Sequence, residues 1–183
     1  MAEQRKYTRT TKSAVKSKPV DEYGHLQPQA IDFEEAVLGA LMIEKDAYSI
    51  VSEILRPESF YDHKHQLLYK AITTLAMRQQ PIDILTVAEQ LRSTGELEEA
   101  GGPFYITQLS GKVASSAHIE YHARIIAQKF LARELITFTS NIQTKAFDAT
   151  QAVDDLMQEA EGKLFEISQK NMKKDYTQIN PVI

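Results

Sequence analysis

From Ala117 to Phe147 the chain contains neither proline nor glycine. Nothing in the backbone chemistry of that stretch interrupts a helix. Its 31 residues, at about 1.5 Å each, predict a rod about 46 Å long. Asp148-Ala149-Thr150 can turn the chain, with Thr150 as N-cap, and a second helix is expected from Gln151 to about Lys170. So short a connection makes the two helices antiparallel neighbours, a helical hairpin.

The apolar residues of this hairpin say what must surround it. On the second helix Val153, Leu156, Met157, Ala160, Leu164 and Ile167 form a single stripe, enough for one partner. The first helix has three bands. Ile119, Ala123, Ile126 and Phe130 form one; Leu131, Leu135, Phe138 and Ile142 a second; Ile125, Ile136 and Phe147 a third. A helix apolar on most sides is buried on most sides. The spacing therefore predicts an interface with another chain, or a bundle that folds back over the extra bands.

Ahead of the hairpin, the apolar period is again three to four residues. Phe33, Val37, Leu38, Leu41 and Met42 predict a helix over 32–43. A second is expected over 46–55, ended by Arg56-Pro57, and a third over His63–Met77. Asp83 is a strong N-cap, with Ile82 and Val87 at the spacing of a hydrophobic staple, and Gly95 free to close that helix. Gly101-Gly102-Pro103 starts another helix through Tyr105 and Leu109. No strand alternation appears. The fold class is all-α: a helical bundle over 28–113, then the hairpin over 114–171.

Charge separates the ends from the body. Residues 1–27 carry six bases against three acids, a basic leader expected to be disordered, while the remainder carries 15 bases against 22 acids. An acidic body is a poor partner for a phosphate backbone, so nucleic-acid binding would fall to the leader. A helical adaptor acting through that tail is the alternative functional reading. At the other end, Asn180-Pro181 is a helix-start signal just before the last residue, so 172–183 read as the beginning of a linker.

Several chemistries find no support. The chain has no cysteine, which removes disulfides, thiolate catalysis and Cys-bound zinc, and fits a reducing cytosol. None of its seven glycines belongs to a GxxxxGK[ST] or GxGxxG loop, so no nucleotide cofactor is expected here. His118 and His122 stand four apart, a spacing that can serve a metal, but no HExxH or aligned carboxylate supports one. Acid pairs such as Glu34-Glu35, Glu98-Glu99 and Asp154-Asp155 read as solvated or first-turn charges. No catalytic, cofactor or metal residue is assigned.

The ordered set of short motifs is more specific than any one of them. Pro28-Gln29-Ala30-Ile31 is followed by Glu34-Glu35-Ala36-Val37-Leu38-Gly39-Ala40-Leu41, Phe60-Tyr61-x-x-x-His65 and Pro81-Ile82-Asp83 with Leu85-Thr86-Val87. Gly95-Glu96-Leu97-Glu98, Gly101-Gly102-x-x-Tyr105, Tyr121-x-Ala123-x-Ile125-Ile126 and Arg133-Glu134-Leu135-Ile136 follow in order. Over about 28–170 this resembles the N-terminal domain of the bacterial replicative DNA helicase (DnaB) family.

That resemblance implies a non-catalytic collar, acting in a bacterial cytoplasm at the replication fork. Hairpins pair into dimers, three dimers make a hexameric ring, and the collar docks the C-terminal domain of primase and in some members a loader. ATP and Mg2+ would be used by a separate RecA-like domain, which would also hold most of the DNA contacts in a 5′ to 3′ helicase. No membrane association is implied. Primase docking in the family involves the tyrosine after the Gly-Gly pair and exposed isoleucines of the first hairpin helix, which match Tyr105, Ile136 and Ile142. With Ile125, Leu135 and Phe138 these are the candidate interface residues. His65 and Asp83 match structural, helix-start positions, and Gly39 a close approach between helices.

Overall fold

Every amphipathic stretch of the sequence becomes a helix because each has an apolar stripe to bury. The computed structural model describes residues 26–112, 118–148, 150 and 152–172, without the side chains of 170–172. The helices are α1 (Ile31–Leu41), α2 (Ala47–Ser52), α3 (His63–Met77), α4 (Ile84–Thr94), α5 (Gly102–Gly111), α6 (Ile119–Ala146) and α7 (Val153–Met172). A 3-10 turn covers Pro57–Ser59. Among the described residues no element is a strand. The basic leader, residues 114–117 and the Asn180-Pro181 signal all lie outside them.

Local signals place most boundaries. The Asp83 carboxylate accepts from the Leu85 and Thr86 amides at 2.8 and 2.9 Å, and the Thr86 hydroxyl takes the Asp83 amide in return. Three backbone donors are satisfied at once. Gly95 closes α4 at φ +75°, a conformation that glycine adopts without Cβ strain. Asp62 caps α3 by accepting from the Lys64 amide.

Two expectations are corrected. The second helix ends at Ser52, not Leu55, and Pro57 opens the 3-10 turn rather than merely stopping a helix. Thr150 does not cap α7, which starts at Val153. Instead Asp148 accepts both the Thr150 amide, at 3.0 Å, and its hydroxyl, at 2.7 Å. The carboxylate two residues earlier folds the chain into a local side-chain turn and accepts from the Thr150 hydroxyl.

The core is one continuous cluster. Val37, Leu38, Leu68, Ile72, Leu91 and Leu109 are each wholly buried in it. Truncating such a residue, Leu68→Ala for example, costs about 2–5 kcal/mol. α1 lies at the centre, packed on α3, α5 and α6. Gly39 is buried within it. Tyr69 reaches the Leu55 carbonyl with its hydroxyl, and its ring lies 4.9 Å from that of Phe60.

α6 belongs to two structures. Its first turns bury Ile119, Ala123 and Ile126 against the bundle, chiefly α1. Its last contact with the bundle is through Arg133, which bonds to Pro28 and Ser59; beyond that α6 packs along α7, and none of its residues after Ile126 is buried. The expectation that so apolar a helix is buried on most sides therefore fails within this chain. The bundle is too short to follow a 28-residue rod.

Candidate functional site

Two features carry chemistry that a helical bundle does not need for packing alone. One is a buried polar cluster joining α1, α3 and α5. The other is the apolar outer surface of the hairpin.

The cluster starts from Glu34, in the first turns of α1. Its carboxylate is 1% exposed and accepts the Tyr61 amide at 2.7 Å and the Asp62 amide at 3.4 Å. His65, wholly buried in the first turn of α3, approaches Glu34 Oε2 with Nδ1 at 2.6 Å. An ionised carboxylate can only accept, so Nδ1 carries a proton. The other ring nitrogen, Nε2, lies 2.7 Å from the Tyr105 hydroxyl. With a neutral ring the phenol donates to Nε2. With an imidazolium the ring donates, and the phenol turns its proton toward Glu35 Oε1, 3.4 Å away. Lys112 closes the chain on Glu35 at 2.5 Å.

Tyr105 reaches this position because of what precedes it. Gly101 stands at φ +100°, and a Cβ there would lie 2.7 Å from Tyr105 Cδ1. Only glycine lets the ring lie flat on the backbone. The Lys64 ammonium stands 4.6 Å above the ring centre. Burial, followed by the Glu35 carboxylate, pushes the Tyr105 phenol well above the usual tyrosine range.

The reading of Glu34-Glu35 as solvated charges is overturned: both are buried, while Glu98, Glu99, Asp154 and Asp155 are exposed as expected. The physical reason is helical phase. Glu34 stands three, four and seven residues before Val37, Leu38 and Leu41, on the apolar stripe itself. That spacing was the available signal, and a buried carboxylate then requires donors.

Chemically the cluster is closed. His65 has no exposed surface, both its nitrogens are taken, and the Glu34 oxygens accept three donors. It ties three helices together and offers no atom to a substrate. His122 packs edge-on against Phe33, ring centres 5.2 Å apart. Among the described residues no three His, Cys, Asp or Glu side chains are grouped to hold a metal ion, and no helix is long and apolar enough to cross a membrane.

Arg133 has a role that the sequence did not single out. Its guanidinium donates to the Pro28 carbonyl at 2.8 Å and to the Ser59 carbonyl at 2.7 Å. It also lies over the rings of Tyr61 and Phe130. Desolvation lowers its pKa, partly offset by Glu34. These bonds pin α6 to the bundle at the point where the helix leaves it.

The candidate interface residues fall into different environments. Tyr105 is half-buried with its hydroxyl inward. Ile125 is half-buried on the early part of α6. Phe138 and Ile142 line a groove of about 430 Å³ between α6 and α7. Leu135 and Ile136 are exposed. Ile125, Ile136 and Phe147 stand eleven residues apart, so at about 100° each they drift by only about 20° and share a face. Phe147 is exposed with them.

α7 adds to this surface. Its stripe is only half covered by α6: Ile167 is buried and Leu156 and Ala160 half-buried, while Val153, Met157 and Leu164 are exposed. At about 100° per residue the covered three occupy one flank of the stripe and the exposed three the other. Phe165 is exposed beyond them. One partner helix does not satisfy the stripe, contrary to expectation, because α6 approaches it from one side.

Comparison with known proteins agrees with this architecture. Residues 26–128 match the model of the DnaB-like helicase N terminal domain. The chain is 42% identical over 87% of its length to the replicative DNA helicase DnaB of Rhodothermus marinus, of which it spans 17%. It is 37% identical over 86% of its length to the replicative DNA helicase DnaC of Bacillus subtilis, of which it spans 35%. Its fold is similar to the crystal structure of the N-terminal domain of DnaB helicase from Mycobacterium tuberculosis, with a TM-score of 0.72 and 34% identity over 76% of this chain and 98% of that one. It is also similar to a DnaB-like replicative helicase described with its interactions with primase, at a TM-score of 0.63 and 25% identity, covering 84% of this chain and 36% of that one. With more than half of its residues matched by that family model and relatives this similar along most of its length, the chain belongs to the DnaB-like helicase N-terminal domain family.

Proposed function

We propose that this chain is the non-catalytic collar of a replicative DNA helicase, pairing through its hairpin within a hexameric ring and docking primase. The carrying observation is the apolar surface that the fold leaves uncovered on α6 and α7. Ile136, Phe147, Met157, Leu164 and Phe165 are all exposed there. Surfaces of this kind mark interaction sites. Its residues come from two helices on a rigid hairpin, a geometry suited to a second hairpin laid alongside as in a four-helix bundle.

Within this reading the candidate residues divide. Leu135 and Ile136 are free to meet a partner directly. Phe138 and Ile142 shape the groove behind them. Tyr105 acts through position, since its hydroxyl is committed to His65. Unwinding, with its ATP and Mg2+, belongs to a separate domain of the parent helicase. A loader would use the same collar.

Two titrations test it. Sedimentation across a concentration series is expected to show reversible dimers. Calorimetric titration with the C-terminal domain of primase from the same source is expected to show saturable heat. A chain that stays monomeric at high micromolar concentration and binds no primase would refute the interaction reading and leave family membership standing.

A further inference from the structure

α6 is anchored over a short length and loaded over a long one. Its buried residues Ile119, Ala123 and Ile126 lie within seven residues of one another, about 10 Å of helix. From Ile126 to Ala146 a further twenty residues, about 30 Å, carry α7 outward with them. No proline or glycine interrupts α6, so the rod has no built-in kink and a tilt at the anchor is magnified at the tip. The buried anchoring contacts are apolar, and apolar contact has no preferred direction. Arg133 supplies the direction. Its guanidinium donates at once to the Pro28 carbonyl, just before α1, and to the Ser59 carbonyl in the 3-10 turn. The second acceptor is itself held in place, because Glu34 takes the Tyr61 and Asp62 amides just after it. We propose that Arg133 is the clamp of a lever: it sets the angle between hairpin and bundle, and without it the hairpin tilts on its anchoring turns while both bodies stay folded.

The lengths set the scale. Arg133 stands seven residues beyond Ile126, about 10 Å along the rod. Its bonds at 2.8 and 2.7 Å are lost once they stretch by about 0.5 Å. At that radius the stretch corresponds to a tilt of about 3°, which moves the tip by about 1.5 Å. With the clamp open, a tilt of about 10° displaces the tip by about 5 Å. Phe147, exposed at that end of α6, travels with it. Only a planar fork can bridge two carbonyls from separate segments; a single ammonium cannot. The clamp is internal to one chain, so the proposal is independent of what the outer surface of the hairpin binds.

Distances between spin labels on the full chain test it. The chain has no cysteine, so Thr144→Cys near the tip can be labelled in turn with Ser52→Cys on α2, Ser93→Cys on α4 and Thr107→Cys on α5, all exposed positions. Three references on the bundle locate the tip whichever way it tilts. Excess unlabelled chain keeps the measured distances within one molecule. Arg133→Met keeps the aliphatic stem and loses the donors; Arg133→Lys keeps the charge and loses the fork. Slow amide exchange in α3 and α7 checks that bundle and hairpin remain folded. The expected result is one narrow distance per pair in the unsubstituted chain, and in both variants a shift or broadening of about 5 Å in at least one pair. Unchanged distances in both variants would overturn the proposal. So would unaltered distances in Arg133→Lys alone, which would leave charge and not the two-carbonyl bridge as the cause. Loss of protection in α3 or α7 in both variants would overturn it too, by making Arg133 part of the fold itself.

Discussion

Replacing Glu34 by alanine removes the acceptor on which three helices converge. The carboxylate takes two backbone amides and the Nδ1–H of a wholly buried histidine. Truncation leaves all three donors facing apolar surroundings. Each unsatisfied group costs about 1–3 kcal/mol on its own, but water and relaxation recover part of the sum. Breaking one side of a buried pair costs about 3–5 kcal/mol overall. Against a total stability of about 5–15 kcal/mol, Glu34→Ala is expected to remain folded near room temperature and to melt about 10 °C lower. Urea unfolding followed by circular dichroism reads the loss. The companion variant is Glu34→Leu with His65→Leu, which removes donor and acceptor together. It should cost less than the two single changes added, with a coupling of about 1–3 kcal/mol. If Glu34→Ala lost no more than about 1 kcal/mol, the carboxylate would be contributing no more than a surface charge, and the cluster would not be the tie described here.

Other outcomes follow from the same geometry. Burial holds the phenols of Tyr69 and Tyr105 well above the usual range, helped by Tyr48 and Glu35 respectively; the unfolded chain ionises them near pH 10 and the fold does not, so the stability they contribute is complete below about pH 10 and is lost as pH rises through their folded pKa, which phenolate absorbance shows as a late-titrating component of two tyrosines. Tyr105→Phe should leave one. Ile136→Asp changes an exposed residue and should alter monomer stability by less than about 0.5 kcal/mol, while weakening self-association or primase binding at least about tenfold by sedimentation or calorimetry. Ile142→Asp faces the groove against α7 and should instead loosen the hairpin by about 1–3 kcal/mol, seen as faster exchange in α7. Gly101→Ala places a methyl 2.7 Å from the Tyr105 ring at φ +100°, and should cost about 1–3 kcal/mol with a shift in tyrosine fluorescence.

What the sequence determined by itself was everything governed by local chemistry. Helical class, the ends of α3 and α4, the cap at Asp83, the left-handed Gly95 and the long unbroken α6 depend on neighbours a few residues away, and such interactions are written in spacing. The hairpin was legible for the same reason, and so was its excess of apolar surface. The tertiary structure decided which of that surface is covered. Two helices with matching stripes can meet along either flank, and only the packed arrangement shows α6 on the Ile167 side, leaving Met157 and Leu164 outside. It also decided the fate of the polar groups. Glu34 finds His65 31 residues away, His65 finds Tyr105 40 residues on, and Arg133 finds Pro28 across 105. Such partners have no periodicity to announce them. A carboxylate on an apolar stripe signals that donors must exist, and only the fold says which.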